Sequence, residues 1–180
     1  MDTIKVHDKT FRLMLHNAEI ERAISDLATK INDDFCGQQT VPLFLSVLNG
    51  SFMFAAQLMK HIRFPCEISF VKLASYHGEH STGNVTELIG LSDILIDRDI
   101  IVVEDIVDTG KTYGTLLETL KRYSPKSVKL ATLLLKPDVY QKEYTLDYVA
   151  LRIPNNFIIG YGLDYNGLGR NLGDIYTLIK

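Results

Sequence analysis

Apolar residues along this chain follow two rhythms. Ile20, Ala23, Ile24, Leu27, Ala28 and Ile31 recur at the i, i+3, i+4, i+7 spacing of one helical face, which predicts an amphipathic helix with Asn17 placed to cap its start. Pro42 to Leu48 is an apolar run closed by Asn49-Gly50-Ser51, the pattern of a buried strand and a turn. Phe52, Ala55, Ala56 and Met59 then mark the inner face of a second helix. Glu67 to Leu73 reads as a strand. Ser75 to Gly83 is too hydrophilic to pack and long enough to move, with Val85 to Leu91 as its returning partner. Ile100 to Val103 is β-branched, as interior strands of parallel sheets are. A helical pattern at Tyr113, Leu116, Leu117 and Leu120 runs to about Tyr123, followed by strands at Ser127 to Leu135, Tyr148 to Ile153 and Phe157 to Leu163. Alternating strands and helices predict a single α/β domain over 1–180, with a mostly parallel sheet flanked by helices. Ligands of such sheets bind beyond the carboxyl ends of the strands, so the loops Leu48 to Ser51, Glu104 to Thr112 and Leu163 to Arg170 are the candidates.

The middle loop carries the sharpest chemistry. Its strand runs directly into Glu104, Asp105 and Asp108, groups that avoid burial unless paired. Thr109-Gly110-Lys111-Thr112 then offers two hydroxyls, a flexible glycine and backbone N–H groups at the start of a helix, which together make a phosphate cradle. Gly110-Lys111-Thr112 is also the tail of the P-loop signature of ATPases and GTPases, but the leading glycine of that signature would fall at Asp105. Three carboxylates would crowd a triphosphate that needs bare N–H groups, so that reading fails. Acids for hydroxyls beside a turn for one phosphate suit a ribose 5-phosphate.

Composition narrows the setting. The chain has 180 residues, 46% of them hydrophobic, enough for one full core. Its beginning, Met1-Asp-Thr-Ile-Lys-Val-His7, lacks the apolar core of a signal peptide, and no apolar stretch approaches the roughly 20 residues of a membrane span. The expectation is a cytoplasmic protein with no membrane partner. Cys36 and Cys66 lack C-x-x-C spacing and read as small buried thiols rather than a zinc or redox pair. A net charge of -3 with no strongly basic run argues against nucleic acid. An acidic chain meets a phosphorylated substrate most easily through a divalent cation, and hard carboxylate oxygens suit Mg²⁺ as the cofactor.

The segment Ile101 to Thr112 resembles the phosphoribosyl-diphosphate (PRPP) binding motif of type I phosphoribosyltransferases: a hydrophobic run, two acids, two further residues, then Asp-Thr-Gly-x-Thr. Phe157-Ile-Ile-Gly-Tyr-Gly-Leu-Asp-Tyr-Asn-Gly-Leu-Gly-Arg170 resembles the corresponding segment of hypoxanthine-guanine phosphoribosyltransferases. Leu133-Leu-Leu-Lys-Pro137 looks like their purine-contacting strand end, and Ser75-Tyr76 looks like the start of their mobile loop. The resemblance spans roughly residues 40 to 179. It implies a type I phosphoribosyltransferase fold with a small hood and a mobile loop. It further implies transfer of phosphoribose from PRPP to N9 of hypoxanthine or guanine, and a homo-oligomer, dimeric or tetrameric.

The resemblance also distributes roles. Glu104 and Asp105 would fix the ribose hydroxyls, Asp108, Thr109, Gly110, Lys111 and Thr112 would hold the ribose 5-phosphate, and Asp108 would accept the purine N7 proton as catalytic base. Asn49, Gly50 and Arg170 would bind pyrophosphate, Arg170 through its planar fork. Lys136, Phe157, Ile158 and Asp164 would bind the purine, and Glu104, Asp105 and Asp164 the metal. A lysine ammonium donates to the oxygen of a 6-oxopurine but meets only an amino group on adenine, so Lys136 favours a 6-oxopurine base. Phe157 taken alone is more often a core residue than a stacking platform; the resemblance assigns it to the purine face. His77 and His80 read as solvated loop residues.

One position departs from the pattern. The family's pyrophosphate loop commonly reads Leu-Lys-Gly, often with a cis peptide before the lysine, whereas this chain has Leu48-Asn49-Gly50. Asn49 donates hydrogen bonds without charge. Two other readings remain open: a xanthine- or guanine-preferring relative, and a ligand-sensing regulator that keeps the fold and binds RNA or DNA. The regulator calls for a basic face or an added DNA-binding domain, and the sequence has neither.

Overall fold

The computed structural model describes residues 2–72, 95–141 and 143–179. The expected strand at Val85 to Leu91, the polar segment Ser75 to Gly83 with Ser75, Tyr76, His77 and His80, and the last residue of the expected Glu67 to Leu73 strand lie outside them.

The apolar runs at the centre of the chain become five parallel strands: β3 (Leu43–Leu48), β4 (Glu67–Lys72), β5 (Asp99–Val107), β6 (Ser127–Leu135) and β7 (Tyr148–Arg152), in the spatial order β4-β3-β5-β6-β7. Because successive strand residues face opposite ways, β5 feeds two cores. Ile101 and Val103 join α1 (Asn17–Phe35) and α2 (Phe52–Met59) on one face, where Ile20, Ile24, Leu27, Phe54 and Leu58 are buried. Ile100 and Val102 join Tyr113, Leu116 and Leu120 of α3 (Lys111–Lys121) on the other. Burial on both faces explains the uninterrupted β-branched run, and it is the α/β architecture expected from the alternation.

A second, antiparallel sheet of order β1-β2-β9-β8 forms the hood, from β1 (Thr3–Val6), β2 (Lys9–Leu15), β8 (Ile158–Ile159) and β9 (Ile175–Leu178). Its hairpin and final strand were not expected, although Ile4, Val6, Phe11, Leu13 and Leu15 alternate as a half-buried pair should. His7 and Asp8 make the two-residue turn, with His7 at φ 52°.

Four expectations are corrected. Asn17 is the first helical residue rather than the cap. His16 holds the cap position, its N–H donating to Glu19 Oε2 at 3.0 Å, while the Asn17 N–H donates to Asp174 Oδ1 at 2.7 Å. The buried side of α2 is Phe54, Ala55 and Leu58, with Phe52 exposed; nearly every position of that helix is apolar, so periodicity could not choose a face. The expected strand from Phe157 to Leu163 shrinks to two residues because Gly160, Tyr161 and Gly162 all adopt positive φ, 102°, 47° and 99°. Finally, Cys36 is exposed and Cys66 only half-buried.

At the amino end of β5 the buried Asp99 ties three segments together. It accepts hydrogen bonds from Thr40 Oγ1 at 3.0 Å, Lys126 Nζ at 3.0 Å and Ser127 Oγ at 2.6 Å. Burial alone would raise its pKa, but the bonds from Ser127, Lys126 and Thr40 outweigh it and hold the carboxyl below its ordinary value. A depressed folded pKa adds stability above the unfolded value of about 3.9, and that stability disappears as pH falls through the folded one. Asp99→Ala should cost about 2 kcal/mol in urea unfolding at pH 7, with a smaller difference at pH 3. Equal midpoints at pH 7 would show that the clamp contributes nothing.

Candidate active site

The carboxyl ends of β3, β5 and β6 and the segment around β8 surround one cavity of about 440 Å³. Asn49, Gly50, Glu104, Asp105, Asp108, Thr112, Lys136, Phe157, Ile158, Asp164 and Arg170 all line it. A smaller adjoining cavity of about 210 Å³ is walled by Glu104, Asp105, Asp108, Thr109, Gly110 and Thr112. Lys111 lines neither. The three loops expected to hold ligand therefore share one place, where a parallel sheet leaves its strand ends open.

The acids do not all sit after the strand. Glu104 and Asp105 belong to β5 itself, which runs on to Val107, and Glu104 is buried. Burial, reinforced by the neighbouring Asp105 charge, pushes Glu104 well above the ordinary carboxylate range. Burial also lifts Asp105, to about 6, against the pull of the Ile106 N–H at 3.0 Å and the Arg170 charge; Asp164 pushes it the same way as burial. The site thus stores carboxyl groups that ionise reluctantly unless a partner arrives.

Glycines bring the loops together. A β-carbon on Gly50 would collide with the Asp105 carboxylate, and one on Gly162 with the Gly50 carbonyl oxygen. Bare backbone from the β3–α2 loop therefore lies sandwiched between the acid and the β8 loop, a stacking no larger residue would permit. The peptide Leu48-Asn49 is cis. Beneath that loop the buried Ser46 and Ser51 hydroxyls lie 2.7 Å apart. At the start of α3, Gly110 has φ 90°, and a side chain there would also strike the Tyr140 ring.

Just past β6, Lys136 is buried and lines the cavity, with Nζ 3.2 Å from Asp108 Oδ2. The Asp108 side chain is half exposed. Arg170 is held by its own loop: Nη2 is 2.7 Å from Asp164 Oδ1, and Nη1 donates to the Gly162 carbonyl at 2.7 Å. Asp164 also accepts from the Gly167 N–H at 2.7 Å. Phe157 is 47% exposed, high for a phenylalanine at a cavity wall. Among the described residues no three His, Cys, Asp or Glu side chains form a ready-made metal cage, so Glu104, Asp105 and Asp164 do not make a preassembled set.

A sequence model of the phosphoribosyl transferase domain matches residues 13–166. The chain belongs to the phosphoribosyl transferase family. Family relatives include the hypoxanthine-guanine phosphoribosyltransferase of Streptococcus pyogenes, 40% identical over 162 residues, which are 89% of each chain. That of Streptococcus pneumoniae is 37% identical over 170 residues, 93% of this chain and 92% of the relative. A hypoxanthine-guanine phosphoribosyltransferase structure from Bacillus anthracis superposes with a TM-score of 0.82 at 34% identity, covering 93% of this chain and 96% of that one. The Trypanosoma cruzi hypoxanthine phosphoribosyltransferase gives 0.85 at 32% identity, covering 98% and 95%.

Within this member of the family, Leu48, Ile106 and Leu163 line the cavity from the expected loops without having been given a role, and Val47 escaped the sequence reading. Leu163 and Ile106 each stand beside an acid, and an isolated apolar residue there was the available signal. Both raised carboxyls favour the fold most at low pH, a contribution lost as pH rises through the folded pKa, about 6 for Asp105. Asp105→Asn should therefore stabilise the protein alone at pH 8, by about 2 kcal/mol, with the gain vanishing toward pH 4. Thermal unfolding across that range checks it; a variant less stable at pH 8 would contradict the assigned repulsion.

Proposed function

We propose that this protein is a purine salvage enzyme that transfers the 5-phosphoribosyl group from PRPP to N9 of hypoxanthine or guanine, giving IMP or GMP and pyrophosphate. The observation that carries this reading is Lys136 and Asp108 placed 3.2 Å apart in a cavity that the half-exposed Phe157 also lines. A 6-oxopurine stacked on Phe157 offers its oxygen to the lysine ammonium and its N7 proton to the carboxylate. The Ile158 backbone, at the cavity wall, would read the base edge. Adenine would turn an amino group toward a donor and lose the bond.

In the reaction the bond from C1′ to pyrophosphate breaks, N9 bonds to C1′, and the N7 proton passes to Asp108. Positive charge gathers on the sugar as pyrophosphate leaves. Glu104 and Asp105 receive the ribose hydroxyls, while Thr109 to Thr112 hold the 5-phosphate at the amino end of α3. Asn49, Gly50 and the free N–H groups of Arg170 face the pyrophosphate. Asn49 brings no charge, which leaves Arg170 as the fixed cation of that subsite.

Mg²⁺ fits the donor set: Glu104, Asp105 and Asp164 are hard oxygen ligands, and the raised carboxyls are those a cation would relieve. With no ready-made cage among the described residues, substrate oxygens would complete the coordination. When bound, the metal neutralises charge on the leaving pyrophosphate.

Two measurements test the reading. Hypoxanthine, guanine, xanthine and adenine offered with PRPP and Mg²⁺ should give nucleotide from the first two and essentially none from adenine. Adenine turned over as fast as hypoxanthine would refute the Lys136 assignment. Asp108→Asn should lower kcat on the order of 10²- to 10⁴-fold with PRPP binding retained; an unchanged kcat would remove Asp108 as the base.

A further inference from the structure

Phe157 is half exposed, and a stacking platform is useful only if its ring is held at a set angle before the base arrives. Its backbone is fixed, since the Phe157 carbonyl accepts the Leu178 N–H of β9 at 2.9 Å. Its ring is fixed by two others. Tyr165 meets it edge-on, with centroids 5.9 Å apart and planes at 85°, and the fully buried Phe11 lies 6.2 Å away at 41°. Phe11 and Tyr165 are themselves 6.1 Å apart, which closes a triangle of rings.

Tyr165 is in turn gripped by the hood's turn. Its hydroxyl donates to Asp8 Oδ1 at 2.9 Å, the Lys9 ammonium lies 4.6 Å from its ring centroid, and the His7 ring meets it edge-on at 5.8 Å. The Tyr165 hydroxyl is also the first cause that holds the Asp8 carboxyl below its ordinary range. The next residue, Asn166, is pinned as well, its carbonyl 3.2 Å from His7 Nε2. Tyr165 follows directly on Asp164 and exchanges backbone hydrogen bonds with Leu168, at 2.9 and 3.1 Å. One side chain therefore connects the ring of Phe157, the loop bearing Asp164, and the turn between β1 and β2.

We propose that Tyr165 is a positioning residue for the purine, with the His7-Asp8-Lys9 turn as the clamp that holds it. The inference rests on the salvage reading above and sharpens it, because it assigns the hood's hairpin to the base half of the site. The donor groups on β3, β5 and α3 make none of these contacts, and only Asp164 and Arg170, on the loop that Tyr165 anchors, link the two halves. Loosening the clamp weakens binding of the base more than binding of the phosphoribosyl donor.

The test is steady-state kinetics with hypoxanthine and PRPP, each varied separately, alongside thermal unfolding. Tyr165→Leu removes one ring of the triangle and should raise the KM for hypoxanthine about three- to tenfold, with a clearly smaller change in the KM for PRPP. Tyr165→Phe keeps the ring and loses only the bond to Asp8, so it should restore most of the affinity. Asp8→Ala sits at an exposed turn, leaves the rings in place, and should match Tyr165→Phe. The two together should be no worse than either, since they share one bond. Equal rises in both KM values, or a lower Tm with both KM values unchanged, would overturn the clamp. An unmutated protein that makes no IMP would overturn the salvage reading and this inference with it, whereas an active one with an unaffected Tyr165→Leu variant would overturn the clamp alone.

Discussion

Glu104 and Asp105 stand side by side at the carboxyl end of the central strand, and the same burial that makes β5 a good interior strand works against ionising either acid. A fold left to maximise its own stability would place apolar residues there. Its cores do so at Ile100 to Val103, the four positions immediately before the acids on the same strand. The change from buried apolar to reluctant acid within one strand places the polar end of the site at the mouth of a rigid sheet rather than on a loop.

Other features of the site answer that constraint. Asp105 needs room, and Gly50 supplies it by having no side chain to intrude. Gly162 lets the β8 loop close on Gly50, which brings Arg170 near enough to draw the Asp105 pKa back down. Asp164, in the same loop, holds that arginine at 2.7 Å. The proposed donor side is thus a balanced set of charges around one glycine backbone. The proposed base side is a separate construction, an aromatic cluster carried by the hood whose Phe157 lines the same cavity as the Lys136–Asp108 pair. A cavity between two sheets allows donor and acceptor to be held by different parts of the molecule and still meet.

What could be read in the sequence divides along physical lines. Helix α1 was legible because its far face is polar, so Ile20, Ile24, Leu27 and Ile31 define a phase; α2 was not, because Phe52 to Met59 is apolar almost throughout. Strand β5 and its acids were legible because the switch from β-branched to carboxylate is local. The hood was expected only through resemblance; its strands were not read from the pattern although Phe11, Leu13 and Leu15 alternate, since the final strand comes from the other end of the chain and the pairing is non-local. The contact of Asp105 with Gly50 has no signature at all, because two residues 55 positions apart carry no local pattern that joins them. Phe157 was assigned to the purine only through resemblance, and its exposure beside the cavity is what supports that role physically.

If buried, reluctant acids are the feature on which the donor site is built, a partner that meets them must draw protons off. Calorimetric titration with PRPP and Mg²⁺ at pH 6, in buffers of different ionisation enthalpy, measures this directly. Net proton release is predicted, larger for the natural protein than for Asp105→Asn, with the difference between the two fading by pH 8. Identical proton balance in the two proteins, or proton uptake on binding, would contradict it.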